Sequence, residues 1–225
     1  MVIKLEKVVP FGRTLDEYIK MFNLTPNDCR KSILSVADGP ASFNAEGTKL
    51  GYDITSVDPL YLFSSQQIKQ QFYDVIDDII EQVENTPNDW VWSYYKSPQE
   101  LRQNREKAIS LFCEDYEKGK KEHRYQVGEL PTLKFDKNQY ELGLISHFLF
   151  LYSAQFDQIF HLNSVYEMLR VCREVRIFPL INLENETSPY LPFIIESLDK
   201  QGYKCKIEEV FYQLQLGGNQ MLRIT

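Results

Sequence analysis

Three features of the sequence could carry chemistry: a turn of small residues, an acid after a second apolar run, and a histidine beside a serine. The turn follows the apolar run Ile33–Val36 and consists of Ala37, Asp38, Gly39 and Pro40. Small residues let backbone approach a ligand, and a helix that begins after them presents its amide ends to a polar group. Asp58 ends the second run, Asp53–Val57, where a carboxylate can accept both hydroxyls of a ribose.

The third feature is the pair Ser146 and His147, at the end of the apolar run Leu142–Ser146. A histidine titrates near neutral pH, so it could remove a proton from a hydroxyl or an amine. Of the three histidines, His147 alone is predicted at the end of a strand. A packed histidine, hydrogen-bonded to backbone, is the alternative interpretation.

Short apolar runs that alternate with helical patterns must position these residues. Strands are predicted at Ile33–Val36, Asp53–Val57, Tyr125–Val127, Leu142–Ser146 and Val175–Leu180. This alternation is typical of an α/β fold with a parallel sheet, in which ligands bind outside the carboxyl ends of the strands. The candidate residues follow those strand ends, and so does Glu129, after the third strand.

The connection between the second and third strands is much longer than a crossover requires. One helix with short loops takes roughly 20 residues, whereas residues 59–123 intervene here. Two amphipathic helices are predicted within it, over Ser65–Val83 and Ser97–Gly119. We therefore expect a single domain over residues 1–225, with a helical cap inserted at about residues 62–123.

An aromatic segment, Trp90–Tyr95, lies between the two predicted helices and contains both tryptophans. It could form a wall of a substrate site, or it could pin the inserted helices to the domain. We favour the second interpretation because clustered aromatic residues are more often core than site.

The C-terminal region has an alternating pattern. Lys204–Leu216 and Gln220–Ile224 are predicted as two strands, joined by a turn at Gly217–Asn219. A late antiparallel hairpin would close the sheet.

Several stretches together resemble class I S-adenosylmethionine-dependent methyltransferases. Ile33–Phe43 is similar to their motif I, and Asp58 to the acid that ends their second strand. Arg124–Pro131 and Tyr140–Phe148 are similar to their third and fourth strands with the exits. A closer resemblance, to a bacterial group known only as S-adenosylmethionine-dependent methyltransferases, is carried by Gly39–Glu46, Ser146–Tyr152 and Glu174–Leu180.

The resemblance implies a Rossmann-like fold: a mostly parallel seven-stranded sheet with a C-terminal antiparallel hairpin. It also implies methyl transfer, with S-adenosylmethionine as the cofactor. The implied cofactor-binding residues are Ala37, Asp38, Gly39, Pro40, Asp58, Pro59, Glu129 and Ser146. Glu129 would accept from the adenine amino group, unless it is an exposed loop acid, and His147 would face the transferred methyl as a base or orienting group.

Two residues depart from the motif of that family. Ser35 stands where the family usually has an acid, and Ala37 where it usually has a glycine. The missing acid removes a usual contact to the methionine moiety. Asp38 could take over that contact, or it could simply cap the turn.

Composition limits the possible partners. The formal net charge is −7, and the densest basic cluster is the short segment Lys118–Lys121, so we expect no nucleic-acid partner. The four cysteines and three histidines are scattered without metal-ligand spacing, so we expect no metal. The N-terminal residues lack the apolar core of a signal peptide, and no apolar run could cross a bilayer. We therefore expect a cytoplasmic protein without a membrane partner.

The motifs of other enzymes narrow the choice of substrate. The chain has no Walker sequence, no G-x-S-x-G elbow, no Asn/Asp-Pro-Pro-Tyr/Phe signature after the fourth strand and no Pro-Cys nucleophile. A small-molecule methyl acceptor is the class that remains, and the oligomeric state stays open. Two alternatives also stay open: a non-catalytic protein that binds S-adenosylmethionine or a nucleoside, and a nucleotide-dependent oxidoreductase.

Overall fold

The computed structural model describes residues 9–225, and these form a single seven-stranded sheet flanked by helices. The strands are β1 (Ser32–Val36), β2 (Asp53–Val57), β3 (Tyr125–Gln126), β4 (Tyr140–Ser146), β5 (Cys172–Phe178), β6 (Cys205–Glu209) and β7 (Gln220–Ile224). Their order across the sheet is β3-β2-β1-β4-β5-β7-β6. The first five strands are parallel, and β7 is antiparallel to both β5 and β6. This arrangement confirms the predicted Rossmann-like methyltransferase fold.

The described part of the chain contains six α-helices, of which the first precedes β1. They are α1 (Leu15–Met21), α2 (Phe43–Lys49), α3 (Ser65–Asn85), α4 (Pro98–Lys121), α5 (Gln158–Val171) and α6 (Leu191–Asp199). Between residues 9 and 225, no helix combines the length and the apolar character that a membrane span requires.

The central strands β1, β4 and β5 are buried on both sides because helices cover both faces of the sheet, whereas the edge strand β6 is largely exposed. Successive residues of β1 alternate between the faces: Ile33 belongs to one buried cluster and Leu34 to the other. Helices α1 to α4 pack in the first cluster, and α5 and α6 pack in the second. The rigid centre of this sandwich fixes the carboxyl ends of β1, β2 and β4 beside one another.

Both long helices between β2 and β3 form as their amphipathic patterns predict. Helix α4 serves as the crossover, because it packs closely on β3: a Cβ added at Gly119 would lie 2.4 Å from the Tyr125 ring. Helix α3 packs against α4 and is the additional element. Whether the pair acts as a cap stays a prediction.

A buried cluster ties α4 to α1, and we call it the polar junction: Glu17, Tyr95, Asn104, Arg105 and Tyr212. Arg105 donates to both carboxylate oxygens of Glu17, at 2.7 and 2.8 Å, and both side chains are fully buried. Tyr95, Asn104 and Tyr212 also donate to Glu17. Burial raises the pKa of Glu17, but the adjacent guanidinium outweighs it and holds that pKa below its usual range.

One strand prediction was wrong in extent. The segment Lys204–Leu216 was expected to be a single strand, whereas β6 ends at Glu209. The chain then leaves the sheet because Tyr212 and Leu214 are buried in the cluster on the α1 to α4 side. The alternating pattern of this segment therefore comes from two parts with different surroundings: the edge strand β6, and a loop that packs on the α1 to α4 side.

Candidate functional site

A groove of about 360 Å³ opens at the carboxyl ends of β1, β2 and β4. It is continuous with a second cavity of about 440 Å³, because Ala37, Asp58, Pro59 and Phe148 line both. The structure thus brings together the strand ends that the sequence singled out. The combined space is long and bent around Asp58.

Asp58 is the central polar group of this space. Its two carboxylate oxygens accept one backbone N–H each, from Gly39 at 2.8 Å and from Leu60 at 2.8 Å. Each carboxylate oxygen can accept a second hydrogen bond, so acceptor capacity remains. Burial raises the pKa of Asp58 to about 6, even though the two N–H groups act in the opposite direction. Asp58 is therefore held in place by backbone and can still receive hydroxyl groups.

The turn after β1 places backbone, rather than side chains, beside the groove. Ala37 and Gly39 both have left-handed backbone, with φ of 56° and 53°. This conformation suits glycine and costs an L-residue such as alanine roughly 1–2 kcal/mol. Pro40 does not line the groove; its carbonyl packs directly under Gly12.

The Asp38 carboxylate points into the protein, where three hydroxyl groups donate to it. The donors are Ser35 at 2.5 Å, Ser56 at 2.6 Å, and Tyr18. Burial raises the pKa of Asp38, although the three hydrogen bonds act in the opposite direction. Asp38 thus stabilises the turn from beneath, and its contact with a cofactor stays a prediction. At the strand position where the resembled methyltransferase motif has an acid, this chain has Ser35, whose hydroxyl donates to an acid of the turn.

The second cavity could receive a planar apolar ring. Leu130, Phe148, Phe156 and Phe160 form its apolar walls together with Pro59. Glu129 lies at the rim, exposed to solvent, and its backbone closes a tight turn with Thr132. Glu129 could reach a ring amino group only at the outer edge of this cavity.

Ser146 and His147 line the opposite part of the groove. The Ser146 hydroxyl lies 2.9 Å from His147 Nδ1, and the imidazole packs edge-on against Phe178. Burial, with the nearby charges of Arg13 and Arg105, lowers the pKa of His147 well below its ordinary value. The imidazole is therefore neutral at physiological pH. His147 also has left-handed backbone, with φ of 50°, a strained conformation of a kind that clusters at functional sites.

Sequence reasoning missed Arg13, which also lines the groove. Among residues 9–225, its guanidinium makes a single hydrogen bond, from Nη1 to the carbonyl of Phe11 at 2.6 Å. The residue precedes the N-terminal cap of α1, and nothing in its local pattern marks it. Folding alone brings Arg13 to the same groove that His147 lines.

A small side cavity of about 80 Å³ adjoins the groove, and Phe11, Arg13 and His147 line both. Its remaining walls are mainly apolar: Ile79, Val83, Trp90, Leu101, Leu151 and Leu214. Trp90 belongs to the aromatic segment, whose other residues tie it down: Val91 N–H donates to the Leu214 carbonyl at 2.7 Å, and Tyr95 donates to Glu17. The segment is therefore both an anchor and, at Trp90, a cavity wall.

No group of histidine, cysteine or acidic side chains within residues 9–225 is arranged to hold a metal ion. The site instead combines a carboxylate that can accept from hydroxyls, an apolar cavity that can receive a ring, and a guanidinium that can face a charged group.

Comparison with known proteins identifies a full-length relative. The chain is 34% identical over 223 residues to the uncharacterized protein MJ0045 of Methanocaldococcus jannaschii, covering 99% of this chain and 98% of that protein. No family model matches the chain. The resemblance to a bacterial group is not tested by these findings.

Similar solved structures include two methyltransferases. Magnesium protoporphyrin IX methyltransferase from Synechocystis PCC 6803 is 8% identical, over 86% of this chain and 69% of that one, with a TM-score of 0.45. A SAM-dependent methyltransferase from Aquifex aeolicus is 12% identical, over 92% and 90%, with a TM-score of 0.43. The fold is established by the strand order itself, β3-β2-β1-β4-β5-β7-β6.

Proposed function

We propose that this chain, which belongs to the same protein family as MJ0045 of Methanocaldococcus jannaschii, is an S-adenosylmethionine-dependent methyltransferase with a small-molecule acceptor. One observation carries the proposal. Asp58 lies where an apolar cavity and a polar groove meet, and each of its oxygens has capacity for one more donor. A nucleoside with a charged tail needs this arrangement: a ring slot, a ribose acceptor and a groove beyond it.

The residues present fit that cofactor part by part. The adenine would lie among Pro59, Leu130 and Phe148, and the ribose hydroxyls would donate to Asp58. The backbone of Ala37 and Gly39 would border the tail. When bound, the cofactor supplies a methyl group on a positively charged sulfur.

The acceptor would enter from the side cavity toward His147. A neutral imidazole can take a proton from a hydroxyl or amine as that group is methylated. Its Nδ1 is held by Ser146 at 2.9 Å, which would leave Nε2 for the acceptor. The apolar walls from Ile79, Val83 and Trp90 would exclude water around an acceptor with an apolar body. The small volume of this cavity favours a small molecule over a macromolecular substrate.

Calorimetry with S-adenosylhomocysteine tests the cofactor assignment. Loss of a charged acceptor should weaken binding by about 1.5–3 kcal/mol in Asp58→Ala. Asp53→Asn is the matched control, because Asp53 is an exposed acid at the start of the same strand, and it should bind like the native protein. Unchanged affinity in Asp58→Ala would contradict the ribose role, and no binding by the native protein would contradict the proposed function.

His147→Asn tests the base, because asparagine tolerates the left-handed backbone but cannot take the proton. Transfer of a labelled methyl group to a metabolite extract freed of macromolecules should fall by about 100-fold or more. Affinity for S-adenosylhomocysteine should stay near the native value. Binding without any transfer by the native protein would instead indicate the non-catalytic alternative.

A further inference from the structure

We propose that Arg13 is a carboxylate-binding residue that holds an acid group of a ligand in the groove. The inference rests on the proposed function, since it concerns a ligand of the same site. The carboxylate could belong to the amino-acid end of the cofactor or to the acceptor. The experiment below distinguishes these two sources.

Arg13 carries a charge that the fold does not match. No carboxylate within residues 9–225 forms an ion pair with it, and Nη1 donates only to the Phe11 carbonyl. Its Nε is buried without a hydrogen-bond partner. Nε and Nη2 form one edge of the guanidinium, the edge that binds a carboxylate with two parallel hydrogen bonds.

The acids nearest in the fold already have their own partners. Glu17 is paired with Arg105 through both oxygens. Asp38 is occupied by three hydroxyl groups, and Asp58 is held by two backbone N–H groups. None of them turns toward Arg13. Burial, together with the charge of Arg105, lowers the pKa of Arg13 and outweighs the opposing charge of Glu17.

The backbone around Arg13 is fixed, which makes the guanidinium a defined feature of the groove wall. The Arg13 carbonyl accepts from Ser42 N–H at 3.0 Å, and the Gly12 carbonyl accepts from Arg105 at 3.2 Å. Gly12 packs so closely on the Pro40 carbonyl that an added Cβ would lie 2.1 Å from it. Arg13 is thereby held against the turn after β1.

This position faces both possible sources of a carboxylate. Arg13 lines the groove with Asp58 and the side cavity with His147. A cofactor carboxylate would approach from the groove, along the turn. An acceptor carboxylate would approach from the side cavity, with its apolar body among Ile79, Val83 and Leu101.

Two pairs of ligands separate the sources in calorimetry on native protein and Arg13→Gln. The first pair is S-adenosylhomocysteine and its decarboxylated analogue, which keeps the amine. The second is 3-methylbutanoate and 3-methylbutanamide, measured in excess S-adenosylhomocysteine. A lost charged hydrogen-bond pair corresponds to about 10- to 100-fold in affinity.

If the cofactor is the source, Arg13→Gln lowers the affinity for S-adenosylhomocysteine by that factor and leaves the affinity for the decarboxylated analogue unchanged. If the acceptor is the source, only the affinity for 3-methylbutanoate falls. Equal effects within both pairs, or no effect on any ligand, would overturn the proposal. Should the native protein bind 3-methylbutanoate alone, with the same dependence on Arg13, the nucleoside function fails while the carboxylate site stands.

Stability provides the readout that separates a ligand role from a structural one. A charge that is partly removed from water and has no acid beside it costs free energy, so Arg13→Gln should be at least as stable as the native protein in urea unfolding. Arg13→Lys keeps the charge and should recover part of the affinity. A marked loss of stability in Arg13→Gln would overturn the proposal by assigning the residue to the fold.

Discussion

The polar junction and the groove lie side by side, yet the charge of an arginine is matched in one and unmatched in the other. In the junction, Arg105 faces Glu17 through two charged hydrogen bonds, so its charge is matched although its Nε lacks a partner. In the groove, Arg13 donates to one backbone carbonyl and forms no ion pair with an acid within residues 9–225. Arg105 is fully buried, whereas the Arg13 side chain is half-buried, with its Nε shielded from solvent. The difference teaches that a matched charge marks a residue that maintains this fold, and that an unmatched charge at the groove marks one available to a ligand.

The largest effect should come from breaking the matched pair. Arg105→Gln leaves Glu17 buried without its cation, and removal of one partner of a buried pair costs about 3–5 kcal/mol. Urea unfolding of Arg105→Gln should show this loss, whereas Arg13→Gln should not. Comparable losses in both variants would erase the distinction between the regions.

A second test uses pH, because Asp58 in the groove titrates at about pH 6. Ribose hydroxyls need the ionised carboxylate, so binding below that pH releases one proton. Affinity for S-adenosylhomocysteine should therefore fall about fivefold between pH 6 and pH 5, and calorimetry in matched buffers measures this.

Asp58→Asn is the control, and its weaker binding should not vary with pH over this range. The ligand-free protein should change in the opposite sense, because the folded-state pKa of Asp58 is raised. Its contribution to stability is present at acidic pH and is lost as the pH rises through about 6. Binding independent of pH in the native protein would argue against a ribose at Asp58.

Backbone strain in the turn after β1 provides a smaller test. Ala37→Gly should raise the free energy of unfolding by about 1 kcal/mol, because glycine adopts the left-handed conformation without the cost to alanine. Gly39→Ala, two residues away with open space around its Cβ position, should lower it by a similar amount. No gain in Ala37→Gly together with no loss in Gly39→Ala would show that the turn tolerates side chains.

The smallest change is expected in α3, the additional helix beside the groove. Gln71 of α3 lines the groove with Leu62 and Phe63, so S-adenosylhomocysteine should slow hydrogen exchange over residues 59–85. Helix α6, on the other face of the sheet, provides the internal reference. Identical exchange with and without ligand would leave α3 as a structural addition.

The sequence predicted the sheet well because strand ends are local features. Alternating patterns and turn residues located Asp58 and His147 at the correct strand exits. It could not decide the role of Asp38, which depends on hydroxyls from Ser56 and Tyr18, far away in the chain. Arg13 was invisible for a related reason: lacking an ion-pair partner is a property of the folded environment and leaves no pattern along the chain.

The polar junction also has a consequence for how the protein acquires its groove. Its hydrogen bonds join Glu17 to Arg105, 88 residues on, and to Tyr212, 195 residues on. Contacts between such distant parts of a chain form late, because the entropy of closing long loops must be overcome first. The wall that carries Arg13 rests on this junction through Gly12. Ligand binding would then require that the chain between Glu17 and Tyr212 has reached its native topology.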